Sequence, residues 1–448
     1  MRNVSRMKPW FWGAGIAAFT LVSAVLAQGQ DRRSKVLGDR DRVESSGFWI
    51  YNDLPRGFSE AKKTGKPLLV TFRCIPCEHC AKLDEQVVER DPGIQKLLSQ
   101  FVCVRVVHAN AMDLSLFQFD YDQSWTAFFL NADRIVYGRY GTRSHQTESA
   151  EDMSLEGFSK ALQAALDLHR QYPKNKALLT AKTGAPAVVK VPEEFPSLRG
   201  KYTAKLDYTG KVVQSCIHCH QVREAERMVF RTAGKPMPDT VLFPYPHPKT
   251  LGLIIDPATK STLKGVASAS PAEKDGFKAG DEIATAEGQP VLSIADIQWV
   301  LHHAGPSGAV RTEVRRGGKL LPLKLTLAPG WRQRGDISWR ATSWDLRRMV
   351  TGGLLLAEAS AEERRQANFP EDRLALKVMH VGEYGEHAVA KQAGFQKGDL
   401  LTAVNGRSER MSEGGLMASL LNSTKPGDRA SVSVLRGGQK LDLTLKMQ

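Results

Sequence analysis

Apolar residues fall in short blocks separated by polar, Gly- and Pro-rich breaks, the pattern of several small α/β and β-rich units. The clearest block is Pro67-Leu-Leu-Val-Thr-Phe72, which reads as a buried strand and runs directly into Cys74-Ile-Pro-Cys77-Glu-His-Cys80. Around it, Gly57 to Thr64 reads as a short helix closed by Gly65. Asp91-Pro-Gly breaks the chain before a helical piece over Ile94 to Gln100, and Phe101 to Val107 reads as a second buried strand. Thr126 to Leu130 and Arg134 to Tyr140 flank Asn131-Ala-Asp133, a hairpin pattern. Apolar positions 155, 158, 162, 165, 166 and 168 lie close to helical spacing, so Ser154 to Arg170 reads as a helix covering the sheet.

An apolar strand that delivers a Cys-x-x-Cys onto the first turn of a helix is a setting for thiol–disulfide exchange. If Glu78 to Arg90 is helical, Cys77 stands at its N-terminal end, where unpaired amides and the macrodipole favour a thiolate. Cys77 is therefore the expected attacking thiol and Cys80 the resolving one, with His79 stabilising the thiolate and Glu78 opposing it. Cys74 is an auxiliary thiol able to exchange with Cys77 or tune it. Two other uses remain open for these cysteines: metal ligation with Cys103 as a fourth ligand, and a purely structural disulfide. Cys103, inside an apolar strand, reads as a core residue.

Residues 47–170 resemble the thioredoxin superfamily, through Lys66-Pro-Leu-Leu-Val-Thr-Phe followed by Cys77-Glu-His-Cys80. The Cys-x-His-Cys form is similar to that of oxidising members. Two positions depart from the family pattern. Thr71 stands where a buried acid usually assists proton transfer, and Trp125 stands where a cis-proline usually faces the cysteines.

Residues 1–27 read as a secretory signal peptide: Arg2, Arg6 and Lys8 precede an apolar run from Trp10 that ends in the small-residue pattern Val25-Leu-Ala27. An uncleaved membrane anchor is the alternative, although a span needs about 20 apolar residues. Export places the cysteines where disulfides form and exchange. Residues 28–46 are polar and read as a flexible lead-in, and the Pro-, Lys- and Ala-rich residues 171–200 as a linker.

A second segment, 201–247, carries Cys216-Ile-His-Cys219-His220, the Cys-x-x-Cys-His pattern of c-type haem attachment. Both thiols would hold the haem, and His220 would be the proximal iron ligand. Met237 and His247 are the candidates for the distal position, with Met228 on a predicted helix as a further one. A second dithiol or disulfide, and a zinc site using His220 and His247, remain open.

The rest of the chain contains a repeat. Leu251-Gly-Leu-Ile-Ile255, then Lys278-Ala-Gly-Asp281, then Arg316-Gly-Gly-Lys-Leu320 is echoed by Gly353-Leu-Leu-Leu356, Gln396-Lys-Gly-Asp399 and Arg436-Gly-Gly-Gln-Lys440. Both copies, 248–329 and 346–448, resemble bacterial PDZ domains. The resemblance implies β-addition of a peptide C-terminus at Leu251, Gly252 and Leu253 in the first copy and at Gly352, Gly353 and Leu354 in the second. It also implies that the helices near Ile294 to His302 and Leu416 to Leu421 line the grooves. No Gly-x-Ser-Gly-Gly or Gly-x-Ser-x-Gly element accompanies them, so a serine protease partner domain is absent. Between the copies, 330–345 interleaves Trp331, Trp339 and Trp344 with arginines, which suits the packing of one domain against another.

Length and composition agree with this division: 448 residues suffice for two to four domains, and 42% hydrophobic with 25% charged residues is ordinary for a soluble chain. The formal charge of +14 falls to about +11 without the signal peptide. Its basic residues are scattered rather than gathered into a stripe, which argues against nucleic-acid binding. The expected fold is thus a multidomain α/β plus β-rich chain: a thioredoxin-like domain, a small Cys-x-x-Cys-His segment and two PDZ domains. This order is similar to a family of exported bacterial thioredoxin-like/PDZ fusions in which some relatives carry selenocysteine at a redox position. The expected function is a periplasmic thiol–disulfide oxidoreductase or redox relay whose PDZ domains recruit envelope proteins, with membrane contact only if the N-terminal segment is uncleaved. A non-catalytic peptide-binding scaffold and a haem c electron-transfer protein are the alternatives.

Overall fold

The computed structural model describes residues 32–75, 91–145, 149–366 and 368–448. Residues 1–27, read from the sequence as a signal peptide, and Cys77, His79 and Cys80 lie outside the described residues.

Leu68–Arg73 (β2) is buried at every position and forms the centre of a five-stranded sheet with Ile50–Tyr51 (β1), Val102–Val106 (β3), Trp125–Leu130 (β4) and Val136–Tyr140 (β5). The order is β1-β3-β2-β4-β5, with β1, β3 and β2 parallel and β4 and β5 antiparallel. Helix Leu54–Thr64 starts at Asp53, whose carboxylate accepts from the Arg56 amide, and ends at Gly65 in the left-handed region. Helix Leu155–Gln171, capped by Ser154, lays Phe158, Ala161, Leu162, Ala165 and Leu166 against one sheet face. Cys103 is a buried core thiol, as its apolar strand implies.

The expected flexible lead-in is a correction. Residues 32–46 are helical and docked: Val36 and Val43 enter the core, and Asp39 forms a buried pair with Arg105 of β3 at 2.6 Å. The 171–200 linker also packs, through Leu179, Phe195 and Leu198. Neither behaviour is written in local composition, because both depend on partners far away in sequence.

The first PDZ copy holds Leu253–Ile255 (β6), Leu263–Val266 (β7), Glu282–Ala286 (β8), Gln289–Pro290 (β9), Gly308–Arg316 (β10), Lys319–Leu327 (β11) and helix Ile294–His303. The second holds Leu354–Glu358 (β12), Leu376–Val381 (β13), Leu400–Val404 (β14), Arg429–Arg436 (β15), Gln439–Lys446 (β16) and helix Glu413–Ser423. The sequence repeat has a physical cause. Arg316 reaches the buried Asp281 at 2.6 and 2.7 Å and the Gly276 carbonyl at 2.8 Å; Arg436 repeats this with Asp399 at 2.7 Å and Gly394 at 2.8 Å. The Gly-Asp turn and the Arg-Gly-Gly hairpin are the two halves of one bidentate ion pair.

The units are joined through buried polar contacts. Helix Ile294–His303 of the first PDZ copy lies on β5, the edge strand: the Arg139 amide donates to Asp296, Ser293 Oγ donates to the Arg139 carbonyl, and Lys182 meets Asp296 at 3.0 Å. In the 330–345 connector Arg340 contacts Asp120 at 2.5 and 2.7 Å and Asp122 at 3.3 Å, and donates to the Pro244 carbonyl. Asp122 also accepts from the Thr342 amide and hydroxyl. The Trp/Arg stretch is thus interdomain packing, with Trp331 buried in the first PDZ core.

Candidate functional site: a thiol cluster beside the central strand

Strand β2 carries the chain to Cys74, whose amide donates to the Ser124 carbonyl at 2.9 Å, so the start of the cysteine stretch sits at the C-terminal end of the central strand. Thr71 is buried and its hydroxyl donates to Val104 O, and Trp125 is buried edge-on against Tyr140 and Phe158. Neither offers an acid or a proline to the cysteines.

The 201–247 segment is not a separate module. Its Cys-x-x-Cys-His turn folds back onto the chain just after β3. Ile217 is fully buried, its amide donates to Asn110 Oδ1 at 2.8 Å, and its carbonyl accepts from the Ala109 amide at 2.7 Å. Asn110 Nδ2 donates to the carbonyls of Thr203 and Ser215, fixing the approach. The His218 amide donates to Gln221 Oε1, which closes the start of helix Cys219–Thr232.

This fold-back brings His218 Nδ1 to 3.7 Å from Cys74 Sγ. Cys216 and Cys219, on either side of His218 in sequence, are half-buried; the Cys216 thiol lies 3.9 Å from the Val107 carbonyl. Burial pushes the Cys216 thiol up to about 12, and charge on Cys74 adds to the rise. Burial raises Cys219 as well, with charge on Cys74 and Cys216 next in size. Burial holds His218 down at about 4, with His220 and Arg32 adding to the effect, so its imidazole is neutral at ordinary pH. His220 behaves oppositely. Burial works to lower it, but the bond from Nδ1 to Glu224 at 2.9 Å and the charge of that carboxylate outweigh burial and raise it. His218 and Asn110 were not singled out by sequence; the only signal for His218 was its place between two cysteines.

The candidate distal ligands Met237 and Met228 lie away from His220. Arg231, near the C-terminal end of helix Cys219–Thr232, donates to the Thr424 carbonyl, and the Met237 amide donates to the neighbouring Asn422 side chain. Met237 therefore lies toward the far end of this helix from His220, which is about 16 Å from Arg231 along its axis. Its side chain is buried in the second PDZ core. His247 accepts from the Lys249 amide on Nδ1, and its buried Nε2 lies 3.5 Å from Asp152 without a hydrogen bond. Met228 packs against the second PDZ core, two turns along the helix from His220. Among the described residues no group of three or more His, Cys, Asp or Glu is placed to hold a metal.

The two PDZ copies differ at their expected loops. In the first, Leu251 and Leu253 are buried, and Gly252 has a φ of +92° where a Cβ would collide with Ser270. A cavity of about 330 Å³ opens beside this loop, lined by Lys249, Thr250, Arg143, Arg332, Arg340 and Trp339 among others. In the second copy the amides of Gly352 and Gly353 both donate to the Arg347 carbonyl, capping helix Ser343–Thr351. Leu354 is buried. The Leu356 amide of β12 donates to Glu413 at 2.8 Å, and Glu413 is held by Arg347 at 2.7 and 2.9 Å, both side chains fully buried. An incoming strand at the β12 edge would find that amide occupied. Arg347 and Glu413 carried no sequence signal beyond being charges on apolar helix faces.

This sheet order with a cysteine stretch after the central strand, followed by two copies of a strand–helix–hairpin unit, defines a thioredoxin-like/PDZ fusion. Residues 49–132 match the thioredoxin-like family model, and residues 250–327 and 367–447 match the PDZ domain. The chain thus carries one thioredoxin-like domain and two PDZ domains. Curated relatives include a probable periplasmic serine endoprotease DegP-like of Pseudomonas savastanoi pv. phaseolicola, 26% identical over 197 residues, covering 43% of this chain and 38% of the relative. A second, of Pseudomonas fluorescens, is 24% identical over 177 residues, covering 40% and 35%. The chain therefore matches well under half the length of these relatives. Among solved structures, the HtrA-type protease AlgW with decapeptide is 18% identical, covering 31% of this chain and 48% of that one, with a TM-score of 0.19. The PDZ domain of EpsC from Vibrio cholerae is 20% identical, covering 24% and 89%, with a TM-score of 0.16. The relatives are named as periplasmic, and among the described residues no helix is long and apolar enough to cross a membrane.

Proposed function

We propose that this protein is an exported thiol–disulfide oxidoreductase in which Cys77 attacks and Cys80 resolves, while the first PDZ domain holds a client by its C-terminus. The observation that carries the reading is the delivery of Cys74, and hence the start of the Cys-x-x-Cys stretch, at the end of the central strand of a thioredoxin-like sheet. The first PDZ copy is preferred for client binding because its loop borders a cavity with a basic lining suited to a terminal carboxylate, whereas the β12 edge of the second is occupied by Glu413. Holding the client raises its effective concentration at the thiols. The test is reduction of insulin by the mature chain and by Cys77→Ser: the substitution should abolish turnover, and full activity in the variant would refute the nucleophile. Thr71 and Trp125 favour a second reading, a scaffold that only binds partners, which predicts inactivity of the native chain in both redox directions.

A further inference from the structure

The oxidoreductase reading makes no use of Cys216 and Cys219, although the fold spends a fully buried Ile217 and a doubly engaged Asn110 on placing them. We propose that Cys216 and Cys219 are a second dithiol, oxidised through Cys74, with His218 positioned to take and return the Cys74 proton. Whether Cys77 and Cys80 are active does not enter this proposal.

Three observations support it. Segments 144 residues apart converge so that His218 Nδ1 stands 3.7 Å from Cys74 Sγ, within reach of a thiol proton. Charge on Cys74 opposes ionisation of both Cys216 and Cys219, so all three sulfurs lie within one another's field. Cys219 is the first residue of a 14-residue helix, where the helix dipole favours a thiolate formed during exchange. Two thiols three residues apart at a helix start have the spacing of exchangeable dithiols. Of the candidate distal haem ligands, Met237 lies in the second PDZ core and His247 accepts from the Lys249 amide, and among the described residues no group of three or more His, Cys, Asp or Glu surrounds the pair.

The exchange balances with a disulfide R–S–S–R′ as oxidant, either a client disulfide or oxidised glutathione. Cys74 gives its proton to His218 and attacks one sulfur; the R–S–S–R′ bond breaks, Cys74–S–S–R forms, and R′–S⁻ leaves and takes that proton from His218 as R′–SH. The Cys219 thiol attacks Cys74 Sγ, releasing R–SH and forming Cys219–S–S–Cys74. Cys216 then gives its proton to His218 and attacks Cys219 Sγ, which forms Cys216–S–S–Cys219 and releases Cys74 as a thiolate that takes that proton from His218. Two electrons and two protons pass from the dithiol to R–S–S–R′.

The experiment uses the mature chain carrying Cys77→Ala and Cys80→Ala, equilibrated in glutathione redox buffers, quenched in acid, alkylated and mapped by peptide mass. A reversible Cys216–Cys219 disulfide should form. Adding Cys74→Ser should slow its formation about tenfold or more without changing the final ratio of oxidised to reduced pair, since Cys74 is only the entry point. Cys74→Ala serves as a second variant, and near-ultraviolet circular dichroism checks that both keep the fold. His218→Gln should change the pH profile of the rate and not its end point. A pair that stays reduced across all buffers, or that oxidises at an unchanged rate without Cys74, would overturn the proposal. Because the test protein lacks Cys77 and Cys80, its failure leaves insulin reduction by the native chain unaffected, and the two readings fall separately.

Discussion

Replacing Arg340 with methionine removes the cation from a site where the Arg340 and Asp120 side chains are 5% exposed and that of Asp122 is 0% exposed. Methionine roughly keeps the stem, so the main loss is electrostatic: two carboxylates lose their shared counter-charge, and the Pro244 carbonyl loses a donor. Breaking a buried pair from one side costs about 3–5 kcal/mol, and the lost neutral-acceptor bond about 1 kcal/mol more. In the native protein burial pushes the Asp122 carboxyl up, but Arg340, Arg227 and the bonds from Thr342 outweigh it and leave the group below the usual carboxylate range. A depressed folded value means stability that is present above the ordinary pKa of about 3.9 and lost as pH falls through the folded value. Without Arg340 burial prevails at Asp122, its carboxyl rises, and the variant gains stability as the solution is acidified toward pH 4. Guanidinium unfolding followed by tryptophan emission should show a gap between native and variant of at least about 3 kcal/mol at pH 7, narrowing at pH 4. A gap under about 1 kcal/mol, or one equal at both pH values, would refute the assignment of the triad as an interdomain clamp.

Three further outcomes are expected. Glu413→Ala frees the Leu356 amide and leaves Arg347 uncompensated, so the second PDZ copy should lose about 3–5 kcal/mol of stability, measured by thermal or chemical unfolding. Gly157→Ala puts a Cβ against the Pro257 carbonyl and should loosen the contact between the thioredoxin-like and first PDZ domains, seen as faster amide exchange in both segments. His220, raised by Glu224, adds stability below its ordinary pKa of about 6.5 that is lost as pH climbs through the raised folded value. Glu224→Gln should lower the imidazole titration midpoint measured by NMR.

What the sequence made legible is what is encoded locally. The strand at 67–72, the helix closed by Gly65 and the hairpin around Asn131 rest on patterns and caps a few residues long. The PDZ repeat was visible because Asp281 and Arg316, and their counterparts Asp399 and Arg436, recur at matching places in two copies. The lead-in at 32–46 was read as loose because its order comes from Arg105, 66 residues from Asp39. The Cys-x-x-Cys-His turn suggested haem attachment, a dithiol or zinc because the five residues name several chemistries, whereas its setting against Asn110 and Cys74 comes from contacts distant in sequence. Arg340 and its two aspartates stand about 220 positions apart, and no window along the chain relates them.

Strand β5 is the outer rim of the thioredoxin-like sheet, and the amide and carbonyl of Arg139 that would otherwise face water are taken by Asp296 and Ser293. A fragment cut at residue 170 would bare that ribbon, and a bare rim recruits the same rim of another molecule. The first PDZ domain therefore covers that rim, and the thioredoxin-like domain expressed alone should self-associate more readily than the whole chain.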